Sequence, residues 1–288
     1  LPILSDALKR SGRFDRTITL NPPSDNKTRV ELLKYYLKDK NFDNSIDLYK
    51  FAKSIQGFTG ADIDMIVNTA CLLALEKNLS IINIDVLEEA VDKTLLKGNR
   101  KKNNIKDNSK QDVVRYHESG HAVMHYLFGI DIARISVQES TSGVGGFVLS
   151  ENEDNYLMTK TDIINRIKIL YGGRASEEIK FGKDFITVGA SNDISEATNL
   201  LLKYSSILAF DDKLGIIDYT QMNTVKIEND VIKSISQLSK DIYKEVLDLL
   251  RYNYILVETL AGNLELKESM TGDEVNDLLC HVDFNHRV

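Results

Sequence analysis

His117 and His121 stand four residues apart, with Glu118 directly after the first, in the run His-Glu-Ser-Gly-His. On a helix, residues i and i+4 share one face, so two neutral imidazoles spaced this way can hold one divalent cation. Zn²⁺ suits such donors, at roughly 2.0–2.1 Å from each nitrogen. It lowers the pKa of water from 15.7 to about 7, and Glu118 lies at the rim, where it can take that water's proton. The implied chemistry is peptide hydrolysis.

That chemistry needs a helix, and the flanking residues supply one. From Asp112 the chain carries Val113, Val114, Tyr116, Ala122, Val123, Tyr126 and Leu127 at near-helical spacing without proline. Gly120 costs such a helix about 1 kcal/mol against alanine, which points to a close approach by another element. The competing reading is two histidines on a buried helix face with a surface glutamate between them. His125 continues the row, but a metzincin site needs Gly three and His six residues after the second His. Met124 and Leu127 stand there, so that class is excluded and His125 reads as a packed or capping residue. Spacing alone does not choose a third ligand. Asp193 is one candidate, yet Asp193-x-x-Glu196 ahead of an apolar run also has capping-box spacing. Glu177 and Glu178 are others, a glutamate third ligand being common in zinc peptidases.

The chain has 288 residues, 42% hydrophobic and 27% charged, with a formal net charge of −7. That length suggests two domains with a real core in each. The acidic balance argues against nucleic acid as a partner, because phosphate binding needs a basic face. Two distant cysteines, Cys71 and Cys280, form no disulfide framework. No run approaches 18 apolar residues and no signal-peptide pattern opens the chain, which reads as a soluble polypeptide. All three prolines lie within the first 23 residues, so the remainder should be mainly helical.

Residues 17–20 alternate like a strand that an Asn-Pro-Pro turn ends. A lone strand does not fold by itself, so residues 1–23 read as the end of a larger domain. Residues 24–97 hold four amphipathic stripes: one around Val30, Leu33 and Leu37, then Asp47–Ile55, Asp62–Glu76 and Asn83–Leu96, the last capped at Asn83 or Asp85. They predict a small helical bundle. Residues 98–110 are polar and basic, a linker. The second domain spans 111–288. In it, Ile132–Val148 predicts two short strands around a glycine-rich turn; such a strand beside a zinc site either pairs with an extended substrate or is an ordinary hairpin. Thr161–Lys180 predicts a helix interrupted by Gly172-Gly173, a pair costing close to 2 kcal/mol that close helix packing would repay. Further helices are predicted from about Ser191, over Val231–Leu260, and over Thr271–Val282.

Several of these runs also resemble a known family. Leu8–Arg16 is similar to the stretch of AAA+ ATPases that carries the arginine fingers, and Gly57-Phe-Thr-Gly-Ala-Asp62 to their lid-domain motif. With His117–His121, Gly172-Gly-Arg-Ala175, Val188-Gly-Ala-Ser-Asn-Asp193, Lys213-Leu-Gly215 and the closing Leu266–Leu278, the order resembles that of FtsH-type AAA+ zinc proteases across essentially the whole chain. The resemblance implies a mainly α fold, with a helical AAA+ lid bundle followed by a mostly helical zinc peptidase domain carrying a small β element. It implies His117, His121 and Asp193 as zinc ligands and Glu118 as general base; Glu177 is left the role of orienting a ligand imidazole. It implies that Arg10 and Arg13 act in trans on a neighbour's nucleotide and that Gly60 and Ala61 lie near the nucleotide. It also implies a homo- or hetero-hexamer, driven by ATP and Mg²⁺, that unfolds proteins and feeds them to the peptidase. The membrane anchor would lie in a segment absent from this chain, placing the protein at a bacterial plasma membrane or a mitochondrial or plastid inner membrane. No G-x-x-x-x-G-K-[ST] run occurs, so this polypeptide is not expected to hydrolyse ATP by itself. Two rival readings follow: a non-catalytic assembly or substrate-holding subunit, and a monomeric zinc peptidase unrelated to any ring.

Overall fold

A computed structural model describes residues 21–95, 108–138, 145–150, 158–221 and 225–283. The expected strand at 17–20, Arg10 and Arg13, most of the linker and most of the glycine-rich turn lie outside the described residues.

The first unit is four helices around their own core. Helices α1 (Asn26–Leu37), α2 (Leu48–Lys53), α3 (Gly60–Glu76) and α4 (Ile84–Leu95) follow the four apolar stripes. Leu33, Leu37, Ile55, Ile63, Ile66, Val67 and Leu87 are fully buried where those stripes meet. Capping side chains set the helix starts. Asp25 and Asp47 cap α1 and α2, and Asn83 Oδ1 accepts the Val86 N–H at the head of α4. Thr59 and Asp62 form a reciprocal capping box around α3. Gly60 and Ala61 are therefore the first two residues of a capped helix.

The second unit surrounds the motif helix. Helix α5 (Asn108–Leu127) starts three residues before the sequence suggests and packs against α6 (Lys160–Phe181). Helices α7 (Ser191–Ser206), α8 (Val225–Tyr252), α9 (Tyr254–Lys267) and α10 (Gly272–Cys280) complete the helical layer. The fold is thus mainly helical with one small sheet, as expected. Strands β1 (Ile132–Ser136), β2 (Phe147–Ser150) and β3 (Ser269–Thr271) form it in the order β2-β1-β3, antiparallel throughout. Among the described residues, β1 is flanked on both sides and β2 is an edge strand.

Three local expectations are corrected. Helix α6 is not interrupted at Gly172-Gly173; it runs unbroken because that pair lies against α5, where the close approach offsets the helix cost. The run expected as one helix over Val231–Leu260 is two, broken at Asn253. There Asn253 leaves helical backbone geometry (φ −111°, ψ 27°), and its fully buried side chain donates to the same Leu249 carbonyl that its own N–H uses. The last helix begins at Gly272, because Ser269–Thr271 is spent on β3, with Glu268 taking the left-handed turn (φ 59°) that ends α9.

At the α5–α6 crossing the two backbones touch. A methyl at position 120 would press on the Gly172 carbonyl and come within 2.6 Å of Ser176 Cβ. Gly120→Ala should therefore destabilise the protein by about 1–3 kcal/mol from overpacking, outweighing the ~1 kcal/mol gain in helix propensity. Its urea midpoint should fall; an unchanged or raised midpoint would contradict this crossing.

The two units meet through a buried ion pair. Arg134 of β1 donates from Nε and Nη2 to the two carboxylate oxygens of Asp92 in α4, at 2.5 and 3.1 Å. Both residues are almost wholly buried. Removing one partner of such a pair commonly costs about 3–5 kcal/mol, since the other charge is left desolvated.

Candidate metal centre

Helix α5 places His117 and His121 on one face, with their Nε2 atoms 3.1 Å apart. Each ring is fixed from behind. Glu177 Oε1 lies 2.6 Å from His117 Nδ1, and the Ile169 carbonyl lies 2.8 Å from His121 Nδ1. A carbonyl or carboxylate oxygen only accepts here, so both Nδ1 atoms carry the proton. Both Nε2 atoms then present lone pairs toward the same point. Asp193 Oδ2 approaches that point from α7, 3.3 Å from His117 Nε2 and 3.5 Å from His121 Nε2. With both rings neutral, three acceptors converge there with no donor among them.

Such a cluster calls for positive charge. Burial lowers the proton affinity of His117, yet its hydrogen bonds to Asp193 and Glu177 and the charge of Glu118 outweigh it and push His117 up to about 10. Burial would raise Asp193, but the two histidines hold it far below the usual carboxylate range. Burial pushes Glu118 up, and the histidines only partly oppose it. Glu177 falls despite its burial, because His117 and the Thr187 N–H both donate to it.

The space between the donors exists because residue 173 has no side chain. A methyl at Gly173 would lie 2.5 Å from His121 Nε2 and 2.6 Å from His117 Nε2. His117, His121 and Asp193 are the only His, Cys, Asp and Glu group among the described residues whose donor atoms gather within 4.8 Å. Two imidazole nitrogens and a carboxylate oxygen, with one side open, are the donor set of a zinc site that keeps a position for its reactant. The residues fit the ion.

The open side faces a cavity of about 750 Å³, whose apolar wall includes Phe128, Ile130, Val148, Met158 and Leu170. Glu118, 7% exposed, borders it. Gly146, just before β2, lies against Glu118: a methyl there would meet Oε1 at 2.7 Å. The edge strand thus runs past the carboxylate.

Of the sequence candidates for a third donor, only Asp193 reaches the Nε2 side. It sits in the first turn of α7, which Ala190 precedes as the N-terminal flanking residue, so it is not the cap that its spacing allows. Glu177 lies behind the His117 ring, and Glu178 accepts from the Tyr243 hydroxyl at 2.8 Å. His125 is buried and donates from Nδ1 to the His121 carbonyl, a packed residue as expected. Gly60 and Ala61 lie on α3 in the other unit, and Arg10 and Arg13 lie outside the described residues. Sequence reasoning misses Ile169 and Thr187, which act through backbone atoms that leave no side-chain signature. It sees Gly173 only as one of a pair favouring close packing, without the rings it faces.

The sequence profile of peptidase family M41 matches residues 104–278, and that of the AAA+ lid domain matches residues 45–89. Among curated proteins, the ATP-dependent zinc metalloprotease FtsH of Lancefieldella parvula is 32% identical over 96% of this chain and 45% of its own length. FtsH 2 of a Thermoanaerobacter species is 34% identical over 96% of this chain and 54% of its own length. FtsH of Aquifex aeolicus is 38% identical over 75% of this chain and 34% of its own length. The chain spans about half the length of the curated relatives it matches or less.

Proposed function

The chain belongs to peptidase family M41, and on that footing we propose that it is the lid and peptidase portion of an ATP-dependent zinc metalloendopeptidase. His117, His121 and Asp193 hold the zinc. When bound, zinc supplies Lewis acidity, activating water and polarising the peptide carbonyl. Glu118 accepts the water's proton and returns it to the departing amine, a task suited to a carboxylate whose burial raises its proton affinity. Glu177 and the Ile169 carbonyl hold the two imidazoles with Nδ1 protonated, leaving Nε2 for the metal. An extended substrate adds to the free edge of β2, which brings its backbone past Glu118. The observation that carries this reading is the meeting of two imidazole lone pairs and one carboxylate in a space kept open by Gly173.

In the whole protein, the peptidase works in a hexamer powered by ATP and Mg²⁺. Arg10 and Arg13 act in trans on a neighbour's nucleotide, Gly60 and Ala61 lie near the nucleotide, and unfolded or membrane proteins are the substrates. The lid spans 24–97 and the peptidase domain follows the linker. Among the described residues, no helix is long and apolar enough to cross a membrane; anchoring to a bacterial plasma membrane or an organellar inner membrane falls to a segment outside this chain.

Hydrolysis of unfolded casein by the zinc-loaded protein tests the reading. Turnover should stop on chelation and return on adding zinc; turnover that survives complete metal removal would contradict it. A second expectation concerns Glu177. Glu177→Ala should weaken zinc binding about 10–100-fold, because His117 loses the acceptor that fixes its tautomer. Competition against a calibrated chelator measures this, and unchanged affinity would remove Glu177 from the account.

A further inference from the structure

The sheet beside the site is also gripped from the other side. Arg134 donates to both oxygens of Asp92, and its Nη2 also reaches the Glu88 carbonyl at 3.3 Å. Asp92 in turn accepts from Ser269 Oγ of β3 at 3.3 Å. One helix of the lid, α4, is therefore tied to two strands of the peptidase sheet. Arg134 pairs across the ladder with Leu149 of β2, and Leu149 packs against the lid's hydrophobic core rather than the peptidase's own. A solvent-exposed ion pair, Lys50–Asp273 at 3.4 Å, lies across the same boundary.

The ion pair is not the simplest adhesive for this boundary. Among the described residues, the buried Arg134 Nη1 has no hydrogen-bond partner, a penalty that an apolar contact of the same volume would not carry. What a bidentate pair adds is direction: a planar guanidinium meets a carboxylate in one orientation and fixes one register. Here that register is the seating of α4 on β1, and β1 carries β2, which Gly146 immediately precedes and which Gly146 brings against Glu118.

We propose that the Arg134–Asp92 pair is a latch joining lid to peptidase, and that Arg134 is a positioning residue that holds edge strand β2 in place beside Glu118. The catalytic part of this statement rests on the proposed peptidase reading; the coupling itself does not. Motion of the lid is passed to the strand that flanks the site, rather than absorbed at the boundary.

The test compares the zinc-loaded chain with Arg134→Lys and with the apolar replacement Asp92→Leu/Arg134→Met, which avoids leaving a lone buried charge. Amide hydrogen exchange is followed over Phe147–Ser150 and over His117–His121, with zinc content and casein turnover measured in parallel. The double variant should melt near the wild-type temperature and keep one zinc per chain. Exchange over Phe147–Ser150 should quicken at least tenfold, exchange over His117–His121 should stay within twofold, and turnover should fall about tenfold. Arg134→Lys, which keeps a one-armed pair, should fall between wild type and the double variant, with a several-fold quickening confined to the strand and a smaller loss of turnover. Strand exchange within twofold of wild type in the double variant would overturn the latch. Should the double variant fail to fold, Arg134→Lys alone decides: a several-fold acceleration confined to the strand supports the latch, and wild-type exchange refutes it. A wild-type chain without peptidase activity would defeat the peptidase reading while leaving the exchange result to judge the coupling.

Discussion

Replacing Glu118 with glutamine should reduce casein turnover by about 10²–10⁴-fold while the zinc content stays at one per chain. The magnitude is what a positioned general base contributes. The substitution keeps the side chain's size, which matters because Gly146 and β2 lie against this residue and leave little room for another shape. It removes only the ability to take and return a proton. The ligand set is untouched: neither His117 nor His121 uses Glu118 to fix its ring, since Glu177 and the Ile169 carbonyl do that. Turnover and zinc content, measured on the same preparation, separate the two effects. A variant that still turns over within threefold of wild type would mean that another group moves the proton.

The second large effect comes from a single methyl. Gly173→Ala should empty the site of zinc without unfolding the protein. Its Cβ would lie 2.5–2.6 Å from both donor nitrogens, in the space where the lone pairs meet. The rings cannot swing away freely, because each is tied through Nδ1. Helix α6 itself gains about 1 kcal/mol from alanine, so the fold does not lose its main support there. Zinc per chain should fall to a small fraction and turnover with it, while the far-ultraviolet dichroism stays near wild type. A variant that binds zinc with wild-type affinity would show that the metal does not occupy this space. A global loss of helix would instead make residue 173 a packing position.

Much of this architecture is legible from side-chain type and spacing. Leu33, Ile63, Ile66 and Val67 recur at helical intervals because one face of each short helix must be buried, and the structure buries them. The His117–His121 spacing is legible because a helix turns 100° per residue whatever surrounds it. Asp193 is harder. Its approach to the imidazoles depends on how α7 docks against α6, a tertiary fact that local spacing does not encode, and its position in the first turn of α7 mimics a cap. The break at Asn253 is hidden because the apolar period continues on both sides. Only the asparagine, a residue prone to bond its own backbone, marks it. Strand β3 is three residues long and borrows its stability from β1, so no alternation announces it. The uninterrupted α6 reverses a local rule for a non-local reason: glycines that weaken an isolated helix strengthen one whose neighbour lies at backbone contact.

One divalent cation should sit between residues of α5 and α7, helices that sequence distance keeps apart. Crystals of the zinc-loaded chain, measured at the zinc absorption edge, test it most directly. A single anomalous peak at roughly 2.0–2.2 Å from His117 Nε2, His121 Nε2 and an Asp193 carboxylate oxygen is the predicted result. A peak bound instead through Glu177 or Glu178, or no peak between the two imidazoles at saturating zinc, would contradict it.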